Sequence, residues 1–149
     1  RQRQMCIRDS MEIVPMVNQI ETHVFNQQHE ARKFMDEFGT HIMAWAPLAE
    51  GLNGLFTNPT LTQIGEKHGK TAAQIALRWL LLSDVIIIPK TVHKERMEEN
   101  LNLFDFELDA DDMQTIATLD TAHSLFFDHH DGQMAKNFME WRSLVKPAE

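Results

Sequence analysis

Tyrosine is missing altogether: the 149 residues include nine phenylalanines and three tryptophans but no phenol. Cysteine is nearly missing too. The single thiol, Cys6, excludes an internal disulfide framework and fits a reducing, cytoplasmic compartment. Positive charge is in deficit, with 14 Lys and Arg against 22 Asp and Glu. The resulting formal net charge of −8 argues against nucleic acid or an anionic membrane as the main partner. No apolar run approaches membrane-spanning length. The N-terminus has neither the apolar stretch nor the small-residue cleavage site of a signal peptide. No G-x-G-x-x-G follows any strand candidate, which removes support for a Rossmann crossover. Internal repeats and low-complexity tracts are absent.

What remains is an ordinary globular composition, 43% hydrophobic and 24% charged, long enough for one domain with a real core. Residues 1–10, RQRQMCIRDS, stand apart because they lack apolar periodicity. They read as a translated adaptor or disordered leader, with native text starting near Met11. Pro15 to Glu21 is a first short strand with Val17 and Ile20 apolar. Gln27 to Phe38 is an amphipathic helix, with Ala31, Phe34, Met35 and Phe38 at helical spacing and Gly39 as its stop. Ile42 to Ala46 reads as a second strand cut by Pro47. Leu48 to Pro59 is a long loop, and loops of that length tend to be functional or mobile. Leu61 to His68 is a short helix ending at Gly69. Thr71 and Gln74 stand at capping-box spacing before a helix to about Leu82 that is apolar around most of its circumference.

Val85 to Ile88 is a short β-branched run, predicted as a strand buried on both faces and ended by Pro89. Lys90, Thr91, His93, Lys94 and Arg96 follow at once, then Glu99 and Asn100. Ligands of α/β folds bind at the carboxyl ends of strands, and a helix N-terminus adds free N–H groups. Spacing alone leaves two readings open here, an anion pocket and a solvated helix start, and the prevalence of surface charge runs favours the second. Asp109 is the cap of a last helix that turns Met113, Ile116 and Ala117 inward. Alternation of strands and helices predicts a parallel α/β sheet, with two open edges if only three strands are present.

The three stretches PMVNQIE, AWAPLAEG and IIIPKTVHKERMEENLNLFDFELDADD together resemble the C-terminal part of the aldo-keto reductases. The nearest branch is the bacterial one that includes the 2,5-diketo-D-gluconate reductases, and the likeness runs from about Val14 to Asp120. It implies an α/β fold that is the C-terminal portion of a TIM (β/α)8 barrel, about three of its eight strands. The organisation implied is a leader over 1–10, a partial barrel over 11–120 and a C-terminal tail over 121–149. It further implies an NADPH-dependent reduction of aldehydes and ketones, with small carbonyl compounds as partners. Gln19 takes the place of the amide that holds the nicotinamide carboxamide, and Trp45 that of the ring stacked under the nicotinamide. Pro47, Leu48 and the loop through Gly51 would cover the pyrophosphate. Ala46 stands where the family often has serine, so a side-chain contact is lost there. Lys90, Thr91 and Arg96 would hold the 2′-phosphate, and Glu99 and Asn100 would reach the adenine.

The family's proton donor is a tyrosine tuned by a lysine and an aspartate, with a histidine that orients the carbonyl; all four belong to earlier strands. The expectation is therefore a chain with the cofactor-binding half and no catalytic residues, inert on its own. The alternative is a non-catalytic nucleotide-binding or protein-interaction module. Asp128, His129, His130 and Asp131 read as a solvated loop rather than a metal site, because adjacent residues rarely converge on one ion. The remaining histidines show no pairing with a nucleophile. Phe126, Phe127 and Trp141 in the tail either line a substrate pocket or cover the barrel.

Overall fold

The computed structural model describes residues 9–127, 133, 134, 136 and 137. Three strands, β1 (Val17–Glu21), β2 (His41–Trp45) and β3 (Val85–Ile87), form one parallel sheet in the order β1-β2-β3. The register sets Gln19 beside Met43 and Met43 beside Ile86, with Ile20, Ala44 and Ile87 as the next row. Helix α1 (His29–Glu37) connects β1 to β2; α2 (Pro59–His68) and α3 (Ala72–Leu82) connect β2 to β3. Helices α4 (Lys94–Leu101) and α5 (Ala110–Ala117) follow.

The helices cover one face of the sheet. Ile42, Ala44 and Val85 point from that face into a core with Leu61, Ile75, Leu80 and Ile116. Helix α3 is the centre of this core, and Ile75, Ala76, Leu77 and Leu80 are fully buried. Its start is fixed by the expected capping box: Thr71 accepts from the Gln74 amide, and Gln74 accepts from the Thr71 amide. Gly65 lets the α2–α3 turn close, since a Cβ there would lie 2.4 Å from the Lys70 carbonyl oxygen. Arg32 fastens α1 to the end of α3 by donating to the Gln27 and Ser83 carbonyls at 2.8 and 2.6 Å. Buried Asp112 joins α5 to α2 through Lys67 Nζ at 2.8 Å and His68 Nε2 at 2.7 Å.

Several expectations need correction. The Val85 to Ile88 run is not buried on both faces, and β3 ends at Ile87: Ile86 is 39% exposed and Ile88, beyond the strand, 49%. At β3 only the helix side of the sheet is covered, so Val85 is enclosed while its neighbour Ile86 faces outward. β2 runs from His41 to Trp45 rather than from Ile42 to Ala46, because Ala46 takes a left-handed conformation with φ 52° and leaves the strand. The expected loop from Leu48 to Pro59 contains short 3-10 turns over Ala49–Thr57, interrupted at Glu50 to Gly54, and Pro59 opens α2 after the Asn58 cap. Helix α1 starts at His29 because Gln28 has φ 57° and ends before Phe38, and only Met35 of its three apolar residues is buried. Ala117 lies outward on α5, where Ile116 takes the inward place.

Leu80→Ala removes a fully buried side chain from the centre of this core. The expected cost is about 3 kcal/mol, measured as a fall in the urea midpoint with an unchanged slope.

Candidate functional site

The residues after β3 turn away from the sheet at Pro89 and enter a cleft of about 290 Å³. Four parts of the chain form its wall: Leu48 and Phe56 from the loop after β2, Thr71 to Ala73 from the start of α3, Lys90 and Thr91 from the exit of β3, and Arg96, Glu99 and Asn100 from α4. Six residues singled out in the sequence thus meet in one place: Leu48, Lys90, Thr91, Arg96, Glu99 and Asn100. Among the described residues, no ion pair engages Lys90 or Arg96. Two cations and a hydroxyl beside one short opening make an arrangement suited to a phosphate. Thr91 Oγ1 also accepts from the His93 amide at 3.2 Å, which shapes the entry to α4.

Glu99 is less free than expected. Its carboxylate already accepts from the Thr71 hydroxyl, and its carbonyl accepts from Gln74 Nε2. Pro47 and Gly51 belong to the same loop as Leu48 but stand outside the cleft wall. Pro47 is buried. Gly51, at φ 78°, lies so close to the Phe56 ring that a Cβ would come within 2.9 Å of it. The glycine therefore lets the loop fold down on Phe56, which forms part of the wall.

Gln19 and Trp45 are not in this cleft. They share the uncovered face of the sheet on neighbouring strands, and both line an open hollow beside β1 of about 500 Å³ with Glu21, Gln28, Phe34 and Met35. Gln19 is exposed and Trp45 half-buried. Phe126 tilts against the Trp45 ring at 4.9 Å between centroids, and Phe127 lies nearly parallel to it at 5.9 Å, with 14° between the planes. Phe127 therefore stacks on the Trp45 ring, and Phe126 packs obliquely against it. Trp141 and the Asp128-to-Asp131 stretch lie outside the described residues, as do residues 1–8 of the expected leader. Among the described residues no three His, Cys, Asp or Glu side chains gather at metal-binding distance.

The cluster that fixes the tail was not anticipated. Glu21, 3% exposed at the end of β1, accepts from the Leu125 amide at 3.0 Å and from the Ser124 hydroxyl. His23 is fully buried, and its Nε2 lies 2.9 Å from a Glu21 oxygen. The Phe25 amide donates to His23 Nδ1, which places the ring proton on Nε2, facing Glu21. Ser124 Oγ then accepts from the amides of Phe126 and Phe127 at 3.1 and 3.0 Å. Burial raises the Glu21 pKa, but the bonds from Ser124, Leu125 and His23 outweigh it and hold the carboxyl below its ordinary value. Burial lowers the His23 pKa against the opposing pull of Glu21, so its neutral form is favoured. The sequence signal for part of this was the E-x-H spacing at Glu21 and His23, which places two polar side chains on one side of an extended chain.

Residues 2–121 match the Aldo/keto reductase family. The chain is 45% identical over 117 residues to an aldo-keto reductase of Mycobacterium sp. (strain JLS), covering 78% of this chain and 42% of that protein. It is 46% identical over 108 residues to a glyoxal reductase of Bacillus subtilis (strain 168), covering 72% of this chain and 38% of the other. Among solved structures, a mutant of Gox0644 in complex with NADPH superposes with a TM-score of 0.80 at 38% identity, over 85% of this chain and 46% of that one. The chain thus spans less than half the length of these relatives, and its three-stranded sheet is part of a (β/α)8 barrel.

Acid should loosen the tail. His23 has a folded pKa below its unfolded value, so its contribution to stability falls as pH drops through about 6.5. Glu21 acts in the same direction: its contribution is present above about pH 4.3 and disappears below it. A falling melting temperature and a red shift of tryptophan emission between pH 7 and pH 4 are expected. Glu21→Gln is expected to reproduce the red shift at pH 7 and to flatten the lower part of the profile.

Proposed function

Because the chain belongs to the aldo/keto reductase family, we propose that it is the cofactor-holding part of an NADPH-dependent reductase of small aldehydes and ketones. The observation that carries this reading is the cleft in which Lys90, Thr91 and Arg96 converge with both cations unpaired among the described residues. NADPH differs from NADH by a 2′-phosphate, and a phosphate needs compensating cations and donors. Lys90, Thr91 and Arg96 hold that group. Asn100 and the remaining acceptor capacity of Glu99 meet the adenine, and Leu48, Pro47 and the Gly51 turn cover the pyrophosphate. Gln19 donates to the nicotinamide carboxamide, and Trp45 offers its ring face to the nicotinamide. The structure of Gox0644 with NADPH supports the choice of cofactor.

The cofactor, when bound, supplies the hydride; the residues of this chain bind it and orient it. They do not provide the phenolic acid, since the sequence has no tyrosine. The chain on its own is accordingly a binding unit that does not turn over. This also favours the second reading, a non-catalytic nucleotide-binding module.

Calorimetric titration tests the proposal. NADPH is expected to bind at least tenfold more tightly than NADH. Lys90→Ala and Arg96→Ala should each weaken NADPH about tenfold, the loss of one charge-assisted hydrogen bond, and leave NADH nearly unchanged. Equal affinity for the two cofactors overturns the 2′-phosphate assignment. Oxidation of NADPH by the chain with methylglyoxal, above the rate without protein, overturns the claim that it is inert.

A further inference from the structure

Helix α4 carries three of the cleft residues, Arg96, Glu99 and Asn100, yet none of its own residues is buried. Met97 and Leu101 are exposed as well. Its N-cap, His93, makes no side-chain capping bond. Hydrophobic burial, which fixes the other helices, therefore does little to fix this one. Something else must set the distance between the α4 side chains and the Lys90–Thr91 corner.

The candidate is the amide of Gln74. This side chain is only 5% exposed, and its two ends serve different helices. Its oxygen accepts from the Thr71 amide at 3.0 Å and completes the capping box of α3. Its nitrogen donates to the Glu99 carbonyl at 3.2 Å and to the Asn102 carbonyl at 3.0 Å, both at the C-terminal end of α4. Carbonyls in the last turn of a helix lack full intrahelical partners, so they accept such donors at no cost to the helix. Thr71 adds a second bond to the same place, from its hydroxyl to the Glu99 carboxylate. A capping box needs only the oxygen of Gln74. The donor half is surplus to it and is aimed wholly at α4.

We propose that Gln74 is a positioning residue for the cleft: its amide nitrogen anchors the end of α4 and thereby sets Arg96, Glu99 and Asn100 at the spacing a 2′-phosphorylated adenosine requires. The inference rests on the reading of the cleft given above, and it concerns a residue that the cofactor does not touch. Gln74→Glu is the informative substitution. It keeps the size of the side chain and the oxygen that caps α3, and it replaces the donor with an oxygen facing two carbonyls. Gln74→Met, which is neutral and of similar volume, serves if the buried carboxylate prevents folding.

Two measurements on the whole chain decide the matter. The first is amide hydrogen exchange without ligand. Exchange across residues 94–102 is expected to quicken at least tenfold in either variant, while the amides of β2 and of the interior of α3 keep their wild-type rates. The second is titration with adenosine 2′,5′-bisphosphate, whose affinity is expected to fall at least tenfold. Wild-type exchange rates in α4 overturn the proposal. So does an α4 that loosens while the bisphosphate binds as before. A wild-type chain that fails to bind the bisphosphate overturns the functional reading of the cleft instead, and the exchange rates alone then decide whether Gln74 anchors α4.

Discussion

The burial of α3 against one face of three parallel strands is the constraint on which the rest of this chain depends. The helix is apolar nearly all round, so it cannot lie on a surface and must be enclosed. The sheet encloses one side of it through Ile42, Ala44 and Val85; α2 and the neighbouring segments enclose the others. Each of these elements presents a partly apolar face that would be unstable if exposed. The position of α3 thereby fixes where β2 and β3 end, and the cleft lies at those ends. Its N-cap is also a cleft residue: Thr71 begins the helix, and Thr71 to Ala73 form part of the wall. Core and site are consequently built on the same turn of backbone.

A different kind of force holds the ends of the sheet. At the end of β1 the interactions are polar and buried, with the Glu21 carboxylate accepting from Ser124 and Leu125. A buried carboxylate without such donors costs several kcal/mol, so the tail segment and the carboxylate stabilise each other. The outcome is geometric. Phe126 and Phe127 are brought over Trp45, and one ring face becomes part of an aromatic cluster. The uncovered sheet face offers no comparable support to Gln19 or Ile86. The two regions singled out in the sequence, around Trp45 and around Lys90, are therefore held by unlike means, the first by a polar anchor with aromatic contacts and the second by the core through α3.

The parts legible from sequence were those whose partners are near in the chain. The capping box of Thr71 and Gln74 needs two residues three apart, and Gly69 and Pro89 punctuate their elements locally. Lys90, Thr91, Arg96, Glu99 and Asn100 are also near one another in the chain, but their spacing alone favoured a solvated helix start, and it was the family resemblance that singled them out and joined Leu48 to them. What escaped was long-range or depended on neighbours. Ser124 meets Glu21 across 103 positions, and no periodicity announces that pairing. Gln74 reaches Glu99 and Asn102 across 25 and 28 positions with the half of its amide that the capping motif does not use. The exposure of Ile86 escaped because a β-branched run signals a strand, whereas burial of both its faces depends on what packs against the sheet.

Unequal support within the site has a dynamic consequence. Elements with few buried apolar contacts open at a lower free energy than the global transition, and α4 is such an element beside a deeply buried α3. The cleft thus has one wall fixed by the core and one held by polar bonds at its end. A ligand that contacts both walls binds best when α4 is ordered, so its binding free energy also stabilises α4. The two cations, unpaired among the described residues, bear on the same balance. Lys90 and Arg96 repel each other across the cleft when no anion lies between them and attract a phosphate jointly when one does. A dianionic phosphate would therefore stabilise the ordered α4 more than an uncharged ribose hydroxyl would. On the proposed reading of the cleft, discrimination between the two would come as much from the ordering of α4 as from contact with either side chain.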